Sequence, residues 1–376
     1  MKLFFVLLTN INNLPPAKNV LLEFAKQKIP FQLITMYSSD LPETIKQNNQ
    51  IVVYDLQPKA TNNKIKALLN RLCRRNKLRK LIRQNVSSSD IIWTFTDYDA
   101  MEVGRLLLKH RHVMQIMELV KDIPYFDEIP FLKANIKKYA KKSELVIVPE
   151  YNRAFIQQAY WRLKETPFVI PNKPEINKKD LIINNINEET KATLNKIKNK
   201  KIVLYQGTFG YERKLDEFIK AVHSLGNDYC VVLMGSRTKD AVELIKKYPF
   251  VYFVPFIPSP YHLFFTSLAH IGIVTYSKFY GIKHFDPLNA MYCAPNKTFE
   301  YSYFGIPMIG NKIPGLEIPF EKYHCGLCAD LNDNSIKEAI LEIEKNYDSY
   351  SIGAKSYYQS FDMTKAVKEI ITKLGL

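Results

Sequence analysis

The chain has 376 residues, 47% hydrophobic and 24% charged, with a formal net charge of +16. That balance excludes a disordered chain, its length suits two domains better than one, and no apolar run approaches the ~18–20 residues of a membrane-spanning helix. Residues 1–171 hold 27 Lys/Arg against 15 Asp/Glu, and residues 172–376 hold 26 against 22, so the excess of positive charge belongs to the first half.

The first nine residues, MKLFFVLLT, read as a buried strand and not as a signal peptide, because the short apolar run ends in NINNLPP without a small-residue cleavage site. A periodic segment, AKNVLLEFAKQK, follows, then two more buried strands, FQLITMY and QIVVYDL. Residues 62–86 hold nine Lys/Arg and no acid, with Ile65, Leu68, Leu69, Leu72, Leu78, Leu81 and Ile82 at helical spacing. This is a basic amphipathic helix. It suits an anionic membrane surface, with Arg71, Arg74, Arg75 and Arg79 as the cationic contacts and Lys133, Lys137, Lys138, Lys141 and Lys142 extending the patch. A core-facing helix with a solvated charged face and a nucleic-acid surface are the alternatives; nothing else in the chain suits base recognition.

DIIWTFT, HVMQIME and ELVIVP continue the strand pattern, with DAMEVGRLLLKH as a helix between the first two. His112 and Glu118 are candidate catalytic residues at the fifth strand. Their plainer alternatives are a satisfied strand histidine and a helix cap. Glu150 and Asn152 follow the next strand and are placed to line a cleft. The polar stretch 171–201, rich in Asn and Lys, reads as a linker, giving domains over 1–172 and 201–376 joined by 173–200, with the last helix able to pack back on the first domain.

The pattern then restarts with KIVLYQG, LDEFIKAVHSL, YCVVLMG, VYFVPF, HLFFTSLAH, IGIVTY and GIPMIG. Apolar strands alternating with helices predict an α/β protein of two Rossmann-like, doubly wound parallel sheets facing a cleft, with ligands at the carboxyl ends of the strands. Five cysteines, an odd and scattered set, suit a reducing cytoplasm. Cys325 and Cys328 form a lone CxxC, read as a structural pair in a glycine-containing turn, because a zinc site needs more ligands at workable spacing.

The stretch 295-PNKTFEYSYFGIPMIG-310 places an acid inside an aromatic helix. Asn296 is the expected N-cap and Gly305 the expected stop, with Pro307 beyond. Glu300 can then accept from a ribose diol, and Lys297, one turn earlier on the same face, can meet phosphate.

This layout resembles the C-terminal domain of GT-B glycosyltransferases, the retaining family-4 type in particular. The subgroup signature P-N-K-x-F-E-Y is matched by Pro295, Asn296, Lys297, Phe299, Glu300 and Tyr301, and G-x-P-v-I by Gly305 to Ile309. The segment 203-VLYQGTFGYERKLDEFIKAV-222 is similar to the strand, glycine turn and helix that hold the donor diphosphate, with Gly207 and Arg213 as contacts. VPFIPSPYHLFFTSLAHIGIVTYS is similar to the base-contacting turn and its flanking strands. Two positions depart from the commoner pattern. Tyr292 stands where a second acid is usual, and Thr208 replaces the Arg after the glycine. Contacts to the donor sugar are therefore sought among Lys283, His284, Asp286 and Asn289. By the same resemblance Glu118 binds the acceptor hydroxyl or acts as a base.

The resemblance implies a cytoplasmic, membrane-peripheral hexosyltransferase that moves a sugar from a nucleotide sugar to a lipid-linked glycan acceptor in cell-surface polysaccharide or glycoconjugate assembly. Retention of configuration is implied by resemblance alone, and no metal or other cofactor is expected. Two rivals stay open: a sugar-nucleotide epimerase of the same architecture, and a non-catalytic membrane-associated partner of a transferase.

Overall fold

The structure, a computed structural model, describes residues 1–57, 61–121, 135–177, 181, 187–210, 213–277 and 286–376. The chain divides into two compact units, Met1–Asn172 with Asp362–Leu376, and Lys173–Phe361.

The first unit is built on a seven-stranded sheet in the order β3-β2-β1-β4-β5-β6-β7. Its strands are β1 (Leu3–Leu7), β2 (Phe31–Thr35), β3 (Ile51–Asp55), β4 (Ile91–Thr94), β5 (Arg111–Gln115), β6 (Leu145–Val148) and β7 (Phe168–Val169). All its pairings are parallel. Helices cover both faces, so β1 is apolar at every position. Phe4 and Val6 enter one core, and Phe5 meets Phe24, Phe31, Trp93 and Phe95 on the other side. The helix Met363–Leu374 joins this unit: Thr364 Oγ1 donates to Glu23 Oε1 at 2.7 Å, and Arg111 Nη2 to the Leu374 carbonyl at 2.7 Å.

The second unit has a six-stranded parallel sheet, β10-β9-β8-β11-β12-β13. The strands are β8 (Lys201–Gln206), β9 (Tyr229–Gly235), β10 (Tyr252–Pro255), β11 (Ile271–Val274), β12 (Met308–Asn311) and β13 (Gly326–Ala329). Along β8, Val203 and Tyr205 enter one core while Ile202 and Leu204 enter the other. Of the polar stretch before β8, residues 188–197 form a helix, with Asn187 as N-cap and Ile197 buried.

The CxxC pair is not in a turn. Cys325 directly precedes the edge strand β13, and Cys328 lies within it. Burial pushes the Cys325 thiol up to about 12 and raises Cys328 as well, so neither is a ready thiolate.

The basic helix extends over Lys64–Asn85, and the structure corrects the role of its arginines. Arg71 and Arg75 turn inward onto the buried Glu102, at 2.6 and 3.0 Å. Arg74 donates to the Tyr98 hydroxyl, and Arg79 to the Glu102 carbonyl. Arg79 also packs where a side chain on Gly104 would sit, with Nη2 only 2.3 Å from the position of a Cβ there. Arg71 and Arg75 neutralise a buried acid, Arg79 satisfies a carbonyl near the end of that acid's helix, and Arg74 holds a tyrosine hydroxyl, so all four are engaged within the unit. The apolar residues divide likewise. Leu78 and Ile82 are core, whereas Ile65 and Leu69 are 72% and 55% exposed near the helix start.

Candidate functional site

In an open parallel sheet, ligands collect beyond the carboxyl ends of strands where the winding direction changes. In the second unit that place lies between β8 and β11, whose neighbours run outward in opposite directions. Four residues singled out in the sequence converge there.

Gly207 directly follows β8 and has φ +137°, a conformation that strongly favours glycine. A Cβ at this position would stand 3.0 Å from Lys297 Nζ, so the glycine keeps backbone and ammonium close. Gly235, at the end of β9, is needed for the same approach, since a Cβ there would lie 2.2 Å from the Gly207 carbonyl oxygen. Arg213 lies with its guanidinium 3.8 Å from the centroid of the Tyr276 ring, and its Nη1 is 3.5 Å from the Thr275 carbonyl just beyond β11.

The helix Asn296–Tyr303 carries the other two residues. Its N-cap is Pro295, one residue earlier than expected, and Thr298 Oγ1 returns to the Pro295 carbonyl at 2.8 Å. Gly305, at φ +68°, follows its end. Lys297 is on the first turn, its Nζ 4.2 Å from the centroid of the Tyr205 ring. Burial lowers its pKa to about 7, the nearby Arg213 pushes the same way, and Glu300 opposes them. Glu300 is 8% exposed. Gln206 Nε2 donates to its Oε2 at 2.5 Å, and His262 Nε2 lies 3.3 Å from its Oε1. Thr266 Oγ1 in turn donates to the Gln206 amide oxygen at 2.7 Å.

The arrangement joins two cations, a helix N-terminus and a close backbone turn to a fixed carboxylate. It can hold a diphosphate at one end and hydroxyls at the other. Sequence reasoning reached the cations, the glycine and the acid, but missed Gln206, His262 and Thr266. His262 and Thr266 lie in the stretch 254–277, similar to a base-contacting turn and its flanking strands, yet no spacing rule links it to Glu300.

The remaining candidates are less concentrated. Asp286 caps the short helix Pro287–Met291, accepting from Leu288 N at 3.0 Å, and Asn289 is half-buried on that helix. Lys283 and His284 lie outside the described residues, as does Lys133.

In the first unit Glu118 is exposed, three residues past β5, with Arg153 Nη1 3.5 Å from its carboxylate. His112 is a correction. It is fully buried in β5, with Nε2 2.9 Å from the Tyr139 carbonyl and Nδ1 3.1 Å from the His110 carbonyl. Burial lowers its pKa, and both ring nitrogens face backbone, so it ties strand to helix and presents nothing to a substrate. The end of β1 in this unit faces an acid the sequence did not reveal. Asp99 accepts from Leu8 N at 3.0 Å, and burial pushes its carboxyl up to about 7.

No family model matches the chain, and neither does any curated protein. Solved structures do. HepE of Anabaena, in complex with UDP and glucose, superimposes with a TM-score of 0.69 at 12% identity, covering 100% of this chain and 99% of that one. WaaG, a glycosyltransferase involved in lipopolysaccharide biosynthesis, gives 0.60 at 12%, with 100% of both chains covered. A putative UDP-N-acetylglucosamine 2-epimerase from Listeria monocytogenes gives 0.60 at 10%, covering 98% and 94%. The chain has the GT-B fold.

Proposed function

We propose that the protein is a retaining hexosyltransferase that moves a sugar from a nucleotide-sugar donor to a lipid-linked glycan acceptor, working at the inner face of a membrane. What carries this reading is the convergence of Gly207, Arg213, Lys297 and Glu300 at the carboxyl edge between β8 and β11. Full-length likeness to HepE, seen with UDP and glucose, and to the glycosyltransferase WaaG supports it.

In the proposed reaction Glu300 accepts from the ribose, and Arg213 and Lys297 flank the diphosphate. As the bond from the sugar's anomeric carbon to the diphosphate oxygen breaks, negative charge grows on the leaving phosphate, where these two cations are worth most. Gly207 lets backbone approach the phosphates without a side chain between them. Asp286, Asn289 and His284 are assigned to the donor sugar, and Glu118 to the acceptor hydroxyl.

The test is a thermal-shift panel of UDP-, GDP-, ADP- and TDP-sugars on wild type and Glu300→Ala. One nucleotide should raise Tm in the wild type and leave the variant unmoved. No shift with any of them would remove the donor site. A second reading, sugar-nucleotide epimerisation, is favoured by the likeness to the Listeria protein. It requires the donor to be converted with no acceptor present, which chromatography of the incubated nucleotide sugar decides.

The membrane contact is assigned to the start of the basic helix. Ile65, Leu68 and Leu69 are exposed beside Lys64 and Lys66, which combines apolar insertion with cationic attraction. Among the described residues no helix is long and apolar enough to cross a membrane, so an interfacial contact is the form proposed. Co-sedimentation with vesicles containing phosphatidylglycerol should show binding that weakens with salt. Ile65→Asp with Leu69→Asp should lower it about tenfold or more, since each lost apolar side chain is worth roughly 1.5–3 kcal/mol when fully buried. Equal binding by wild type and variant would exclude this helix as the contact.

A further inference from the structure

The two oxygens of the Glu300 carboxylate are held from different elements. Gln206, the last residue of β8, donates to Oε2, while His262, just before the helix Leu263–Thr266, faces Oε1. Gln206 has no choice of orientation. Its amide nitrogen faces a carboxylate, which only accepts, and that leaves the amide oxygen to accept from Thr266 Oγ1. His262 is fixed by a similar argument. Its Nδ1 is buried and has no hydrogen-bond partner among the described residues. A neutral ring protonated on Nδ1 would bury an unsatisfied N–H and aim the Nε2 lone pair at a carboxylate. The favoured neutral tautomer therefore carries its proton on Nε2, on the side of the ring that faces Glu300 Oε1 at 3.3 Å.

An ionised carboxylate has about four acceptor positions over its two oxygens. Here Gln206 Nε2 hydrogen-bonds Oε2 and His262 Nε2 stands 3.3 Å from Oε1, so each oxygen faces one protein nitrogen and keeps further acceptor capacity. Two acceptors of fixed spacing match the two adjacent hydroxyls of a ribose. A carboxylate free to turn could instead settle on whichever single hydroxyl a ligand offered.

We infer that His262 and Gln206 are positioning residues that preset Glu300 to read the 2′,3′-diol of a nucleotide, so that the site selects ribonucleotides over deoxyribonucleotides. The inference deepens the proposed function and rests on it. A site built to hydrogen-bond a hydroxyl discriminates strongly against the analogue lacking it, because its own polar groups are then left unpaired.

The experiment is calorimetric titration of UDP, GDP and ADP, and of dUDP, dGDP and dADP, into the full chain as wild type, His262→Ala, His262→Gln and Gln206→Ala. The wild type should prefer the ribo form of its best base by about tenfold or more. In His262→Ala that preference should shrink to about threefold, through weaker ribonucleotide binding, with the deoxy form nearly unchanged. His262→Gln, whose amide nitrogen can reach the place of Nε2, should restore most of the preference. Equal weakening of both forms in His262→Ala and Gln206→Ala would mean a merely structural role and overturn the inference. So would a wild type that binds ribo and deoxy forms equally, which would leave the proposed function standing. A wild type that binds no nucleoside diphosphate would overturn both. Should His262→Ala fail to fold, Gln206→Ala and His262→Gln decide the matter by the same comparison.

Discussion

Lys297→Met should slow sugar transfer by about 10²–10³-fold, the range typical when one preorganised donor to developing negative charge is removed, and at the same time raise Tm. The two effects share one cause. Lys297 is buried, and its pKa in the folded chain is lowered to about 7 from an ordinary 10.5 by burial first and by Arg213 next. The unfolded chain therefore binds more protons than the folded one between those values, so this group's contribution to stability rises with pH across the window and is worst below it. An apolar side chain of similar length removes that penalty. It also removes the cation that the proposed leaving group needs, the usual exchange of stability against function at a working site.

A pH dependence follows. A bound diphosphate stabilises the ammonium form, so nucleotide binding takes up a proton whenever Lys297 is neutral in the free chain. Affinity for a nucleotide sugar, whose esterified phosphates do not titrate near neutrality, should fall above about pH 7 by up to about tenfold per unit. Lys297→Met should flatten that profile. A variant with lower Tm and an unchanged profile would make Lys297 an ordinary packing residue.

Much of this site was legible in the chain because its parts are local. A glycine after an apolar strand and a lysine one turn before an acid are patterns of spacing, and spacing survives in a sequence. Strands β1, β8 and β9 are buried on both faces and so read as unbroken apolar runs. β13 was missed because it is a four-residue edge strand, Gly326–Ala329, with a glycine and a cysteine that look like a turn. Gln206 and His262 were missed for a different reason. Each is polar and unremarkable in its own segment, and only the fold brings them to residue 300. The basic helix shows the same boundary from the other side. Its period was visible, but which turns face the core depends on Glu102, which lies in the helix Asp97–Val103 beyond an intervening strand.

That acid supports the second large effect, in the first unit. Glu102→Ala should destabilise the unit by about 3–5 kcal/mol, the cost of removing one partner from a buried ionic group. Arg75 is almost wholly buried and Arg71 largely so, and without Glu102 the two guanidiniums would face each other with their shared acceptor gone. The exposed pair Arg111–Glu144 is the contrast: breaking it should cost no more than about 1 kcal/mol. Burial by itself would raise the Glu102 pKa, but the hydrogen bonds from Arg75 and Arg71 outweigh it and the net shift is downward. A carboxyl lowered on folding contributes stability above its unfolded pKa and loses it as pH falls through the folded value. The Tm gap between wild type and Glu102→Ala should therefore be full at neutral pH and close under acid. Replacing Arg71, Arg75 and Glu102 together with apolar residues should recover most of the loss, as buried ionic groups seldom outperform good packing. The same variants separate core from membrane surface. Arg75→Gln should lower Tm and leave vesicle binding intact, whereas Ile65→Asp with Leu69→Asp should do the reverse. If vesicle binding instead follows the arginines, the inward pairing around Glu102 is not what the chain adopts at a membrane.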